Sequence, residues 1–185
     1  MIDDTLLEAE DKMEKALEVA REDFSTIRTG RANAAMFNKL TVEYYGAPTP
    51  LQQLASFQTP EARTILVIPF DKSVMGEIER TLRDSNLGIN PNNDGQVIRV
   101  NLPMLTEERR REYIKLARTK GEDAKISIRN IRRKAKEEFD RLVKDGEVGE
   151  DEGTRAEKEL EALTKRHVDV VDDLLKHKEA ELLDV

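Results

Sequence analysis

The chain has no cysteine among its 185 residues, which excludes disulfides, thiol catalysis and metal sites built on thiolate. Tryptophan is also absent, and aromatics reach only 4 %. A broad globular core is therefore not expected, whereas narrow seams between helices need less apolar surface. Proline is missing from everything before Pro48 and after Pro103, since all six prolines lie from one to the other. Proline removes a backbone donor and clashes inside a helix, so the flanks are free to form long helices and the middle reads as strands and turns. No stretch approaches the roughly 18 consecutive apolar residues of a membrane span. Met1-Ile2-Asp3-Asp4 has neither the basic nor the apolar region of a signal peptide. A cytoplasmic protein with no membrane partner is expected.

Chemistry-bearing patterns are equally scarce. No glycine precedes a Lys-Ser/Thr pair in the arrangement of a phosphate loop. The acidic tract Glu147 to Glu152 lacks the alternating oxygen ligands of a calcium loop and reads as the acidic start of a helix. His167 and His177 are ten residues apart, which is no ligand spacing, and both fall on a helical seam as packing residues. The expectation is no catalytic residue, no metal, no cofactor and no enzyme.

What the chain does have is charge. Charged residues make up 37 % against a typical figure of about 25 %. The net charge of −7 argues against a polyanionic partner until its distribution is considered. Between Arg109 and Lys136 stand 12 cations and 3 carboxylates, a local excess of nine positive charges. Arg111, Lys115, Arg118, Lys125, Arg129, Arg132 and Lys136 recur at intervals of three, four or seven and share one helix face. A solvated face paired with acidic neighbouring helices is the competing explanation of such a stripe. Against it stands the tight group Arg129, Arg132 and Arg133, because guanidinium forks match phosphate oxygens better than ammonium does. Asn130 lies among them and could contact a base edge or sugar.

Periodicity supplies the architecture. A first helix over about 4–29 carries Leu6, Met13, Leu17, Ala20, Phe24 and Ile27, with Thr5 and Glu8 as a capping box and Gly30 as the C-terminal cap. A second, about 106–145, opens at Thr106, closes at Gly146 and would approach 60 Å, with Gly121 a weak point inside it. A third, about 150–183, has Ala156, Leu160, Leu163, His167, Val170, Leu174 and His177 in alternating steps of four and three. The proline-bearing insert contains the alternating Leu40–Tyr44, the apolar run Thr64–Pro69, a helix from Lys72 to Asn86 and the turn Asp94-Gly95. The fold class is α+β in two domains. Residues 1–30 and 105–185 form an elongated antiparallel three-helix bundle, and 31–104 an inserted small β/α/β domain. Hinges are expected near 30–31 and 103–105, at Gly30, Arg31, Pro103, Met104 and Leu105.

Several stretches, taken in order, resemble the bacterial ribosome recycling factor family. They are Arg28-Thr29-Gly30-Arg31-Ala32-Asn33, then Tyr44-Tyr45-Gly46-Ala47-Pro48, then Thr59-Pro60-Glu61-Ala62-Arg63. Leu105 to Arg110 and Ile128-Arg129-Asn130-Ile131-Arg132-Arg133 follow. The resemblance implies an L-shaped molecule that binds the post-termination ribosome and works with elongation factor G and GTP hydrolysis to separate the subunits. It implies large-subunit ribosomal RNA as the surface met by the bundle, with Arg129 and Arg132 as leading contacts. Arg28 and Arg31 follow as elbow or RNA contacts, with Arg133 and Asn130 as neighbours, and Lys125, Arg118 and Lys136 extend the same face. A monomer is expected. The rival expectation, from composition alone, is a non-catalytic coiled-coil adaptor or co-chaperone that binds a protein partner.

Overall fold

A computed structural model describes residues 1–184. Its helices are α1 (Ile2–Ser25), α2 (Met75–Asp84), α3 (Glu107–Lys144) and α4 (Glu150–Leu183). Backbone proximity divides the chain into two units. One holds Met1–Phe24 and Ile114–Glu179, the other Ser25–Tyr113 and the residues from Ala180 onward. This differs from a division at 30/31 and 104/105, and the cause is local. Inside the second unit the Arg28 guanidinium donates to the carbonyls of Leu87 and Gly88 and to that of Pro103. A Cβ built on Gly30 would lie 3.7 Å from the Asp184 carbonyl oxygen. All five hinge candidates thus belong to the second unit.

The first unit is helical. Buried on α1 are Ala9, Met13, Leu17, Ala20 and Phe24. Those on α3 are Ala117, Gly121, Ala124, Ile128, Ala135, Phe139 and Leu142. α4 buries Ala156, Leu160, Leu163 and His167 as its periodicity predicts, but then Val171 rather than Val170, and His177 is exposed. A strict seven-residue repeat drifts round a helix of 3.6 residues per turn, so the seam moves by one position along α4. His167 is 1 % exposed and is a packing residue. Its Nδ1 lies 2.8 Å from the Leu163 carbonyl and its Nε2 2.8 Å from Glu14 Oε1. Both ring nitrogens thus have a hydrogen-bond partner inside the first unit.

The ends of the helices confirm some caps and overturn others. Thr106 Oγ1 accepts the Arg109 N–H at 3.1 Å and starts α3 as the sequence suggests. Gly146 ends it with φ 73°. The N–H of Gly146 reaches the Val143 carbonyl and that of Glu147 the Leu142 carbonyl, the paired bonds of a Schellman motif. Thr5 caps nothing: α1 already begins at Ile2, and the Thr5 hydroxyl donates to the Met1 carbonyl. Gly30 is not a helix cap either, because α1 stops at Ser25 and Ile27 and Arg28 are drawn into the second unit.

The second unit carries an antiparallel sheet of β3 (Ala55–Glu61), β4 (Thr64–Pro69), β6 (Ile98–Asn101) and β5 (Asn90–Asn93), in that spatial order, and a hairpin of β1 (Thr41–Tyr44) and β2 (Ala47–Pro50). Central β4 is the apolar run, flanked by strands on both edges. The predicted helix from Lys72 is shorter, a 3-10 turn at Lys72–Val74 capped by Asp71 and then α2. Ile65, Val67, Ile78, Leu82, Ile98 and Val100 form the centre of the core. At Asp94-Gly95 the Asp94 carboxylate accepts the N–H groups of Val97 and Gln96, which holds its pKa below the usual range.

Two glycines of the first unit respond oppositely to added bulk. A Cβ on Gly121 would make ordinary contacts, 3.5 Å to Leu175 and 3.7 Å to Phe24. Gly121→Ala is expected to stabilise by about 0.5–1 kcal/mol through helix propensity. A Cβ on Gly153 would lie 2.6 Å from a methyl of Val143, a side chain stiff at χ1. Gly153→Ala is expected to destabilise by about 1–3 kcal/mol. Urea denaturation of the two variants beside the parent chain checks both signs.

Candidate nucleic-acid interface

α3 sorts its cations by their distance round the helix from the buried seam. At about 100° per residue, Arg118, Lys125, Arg132 and Lys136 border that seam on one side, Arg129 stands further out, and Lys115 and Arg133 further still. Three of the four border cations meet α4. Arg118 Nε lies 2.7 Å from Glu179, Lys125 pairs with Asp172, and Arg132 Nη1 lies 3.0 Å from Glu161. Lys136 pairs along its own helix with Asp140 at 3.2 Å. The face expected to be one open row therefore divides by partner, into an inner row of which Arg118, Lys125 and Arg132 meet carboxylates of α4 and an outer row that meets none of them.

The outer row has a different character. The Arg129 side chain is 51 % exposed, and Nη1 lies 3.4 Å from Glu122, seven residues back on the same helix. Arg133 and Lys115 are exposed. Side chains held so loosely keep their donors available to an incoming anion, since an exposed pair of this sort contributes little. Arg132 is intermediate, at 32 % side-chain exposure.

Asn130 is not beside these cations. It lies roughly 100° round the helix from Arg129, in a groove between α3 and α1 lined also by Thr5, Ala9, Ile131 and Lys134. The interval in sequence placed it among the arginines, but on a helix adjacent residues point apart.

Arg28 requires a larger correction. At 4 % exposure it is among the few buried charged residues, and its Nε has no hydrogen-bond partner. Nη1 lies 3.1 Å from the Leu87 carbonyl and 3.2 Å from that of Gly88, while Nη2 donates to Pro103. Burial lowers its pKa, with nearby Tyr113 opposing and Arg109 adding to the effect. Its Nη1 and Nη2 groups are engaged by protein carbonyls, so of its two expected roles the structure fits a strut at the elbow and not an open contact for nucleic acid. Gly88, at φ 65°, lets the Arg28 and Arg109 guanidinium groups approach, with a Cβ there 3.4 and 3.5 Å from their Nη1 atoms. Arg109 is held in turn by donating to the Tyr113 hydroxyl at 3.3 Å.

Arg31, by contrast, has an 82 % exposed side chain with Asp184 4.0 Å away. Of the other hinge candidates, Met104 is exposed and Leu105 half-buried. Sequence reasoning missed the Arg109–Tyr113 pair and the α4 carboxylates facing the inner row. Only their acidity was visible; the register that brings them opposite α3 was not. Among the described residues no cluster of three His, Asp or Glu side chains could hold a metal, and no helix is long and apolar enough to cross a membrane.

The strut makes a measurable demand on stability. Arg28→Ala leaves three carbonyls without their donor and is expected to cost about 2–4 kcal/mol in urea denaturation of the full chain. Arg28→Lys should recover little of it, because one ammonium cannot span the same fork.

Comparison with known proteins agrees throughout the length. Residues 20–183 match the family model described as ribosome recycling factor. The chain is 73 % identical over 185 residues to the ribosome-recycling factor of Kineococcus radiotolerans and 68 % to that of Streptomyces coelicolor, with full coverage of each. It resembles a solution structure of the ribosome recycling factor with TM-score 0.78 and 38 % identity, covering 100 % of this chain and 98 % of the other. It also resembles, with TM-score 0.71, 40 % identity and 100 % of both chains covered, a Thermus thermophilus recycling factor. That protein was placed with Escherichia coli elongation factor G on the Escherichia coli post-termination complex.

Proposed function

The chain belongs to the ribosome recycling factor family, and on that premise we propose that it binds the post-termination ribosome and, with elongation factor G, splits it into subunits. Messenger RNA and tRNA are thereby freed for a new round. The factor catalyses no bond change; GTP hydrolysis belongs to elongation factor G. Its working place is the cytoplasm, where ribosomes are.

The observation that carries the docking half is the outer row of α3, where Arg129 and Arg133 face solvent as guanidinium forks. Phosphate is the natural ligand of such a row. Arg129 and Arg133 make the first contacts with large-subunit ribosomal RNA. Arg132, Lys125, Arg118 and Lys136 join by exchanging a carboxylate for a phosphate. Asn130 serves a separate groove, Arg31 acts from the second unit, and Arg28 takes no part in contact. Articulation near Gly30–Arg31 and Pro103–Leu105 completes the device.

Co-sedimentation with purified ribosomes across a salt series tests the docking. Affinity is expected to fall linearly with salt on logarithmic axes, as counterions return to the phosphates. Arg129→Ala should weaken binding by about 1–3 kcal/mol. A flat salt response, or ribosome binding unmoved by the Arg129→Ala, Arg133→Ala double variant, would leave the protein-binding adaptor as the better account.

A further inference from the structure

Three cations of the inner row are spaced by seven residues, and each meets a carboxylate from α4. The pairs are Arg118 with Glu179, Lys125 with Asp172, and Arg132 with Glu161. A packing interface needs no such arrangement, because the apolar seam beside it already joins the helices. The carboxylates are also accessible, with side chains 27 %, 49 % and 56 % exposed for Glu179, Asp172 and Glu161. Each therefore engages one nitrogen of a cation while remaining within reach of solvent ions.

We propose that Glu161, Asp172 and Glu179 are specificity-determining residues, built-in anions that compete with phosphate for the inner row and so suppress binding to RNA at large. The proposal rests on the docking described above but adds a claim independent of it. An exposed ion pair is weak enough to be exchanged, yet a lone phosphate gains little by displacing one carboxylate. Successive inner-row cations rise about 10 Å apart along the axis. A folded RNA surface that offers phosphates at several such points displaces the carboxylates together. A flexible single strand must be ordered to do the same and meets repulsion from the released carboxylates meanwhile. Discrimination then comes from the acids of α4 as much as from the arginines of α3.

The exchange also has a signature in salt dependence. A cation already neutralised within the protein releases less counterion from the RNA in net terms, because its carboxylate is set free and gathers cations of its own. Removing the carboxylates should therefore tighten binding and steepen the salt response.

The test uses the full chain and two probes, purified ribosomes and polyuridylate. The triple variant Glu161→Gln, Asp172→Asn, Glu179→Gln is compared with a charge-matched control, Glu18→Gln, Glu159→Gln, Asp173→Asn. No ion pair involves the control positions among the described residues. The triple variant is expected to bind polyuridylate about tenfold more tightly than the control, with a salt slope steeper by about two. Its preference for ribosomes over polyuridylate should fall. Glu161→Gln alone should move in the same direction by less. Equal polyuridylate affinity and slope in the triple variant and the control would overturn the proposal, while ribosome binding that still depends on Arg129 would leave the docking intact. Loss of that dependence on Arg129 would instead count against the docking.

Discussion

The seven-residue spacing of α3 is the constraint on which the first unit turns, because one helix must satisfy two demands with a single period. Ala117, Ala124 and Ile128 have to face inward for the helices to bury one another. The same helix then fixes Arg118 and Lys125 one position beyond Ala117 and Ala124, and Arg132 one turn beyond Ile128, on the border of the buried seam. A cation there lies within reach of the neighbouring helix. It must either be repelled or find a carboxylate, and α4 supplies one in each case. The separation of cations that reach α4 from those that do not follows from the helix period together with the sequence positions of the arginines.

The second unit is organised by a different kind of bond. A single buried guanidinium collects carbonyls from the adjacent Leu87 and Gly88 and from Pro103, a separate stretch of the chain. Backbone carbonyls buried without donors are costly, and one arginine serves three of them because its fork is planar and rigid. The left-handed turn at Gly88 gives it room. Arg28 thus gathers the end of α1 and the approach to α3 into the sheet domain, and the chain divides several residues away from where proline usage alone would cut it.

These two features meet in the function of the family. The docking we propose asks the chain to grip one RNA surface without gripping every RNA, and asks its two units to be internally stiff. An acidic protein carrying one basic helix meets the first need through its overall charge of −7 and, at closer range, through the carboxylates of α4. The apolar seams and the Arg28 strut meet the second.

The amino-acid sequence by itself determined the family, the long helices, the caps at Thr106 and Gly146, the apolar central strand and the cluster of charge on α3. Each of these rests on local spacing or on residue types that permit few conformations, and such signals survive without any knowledge of neighbours. Polar β5, Asn90–Asn93, carried no such signal, because an edge strand can be all but devoid of apolar residues. Only the tertiary structure decided that Arg28 is buried while Arg31 is exposed, although they stand three residues apart. It alone turned Asn130 away from the arginines and set Glu161, Asp172 and Glu179 opposite their cations. Those outcomes depend on the register between segments far apart in the chain. A period within one helix cannot encode which atom of another element will face it.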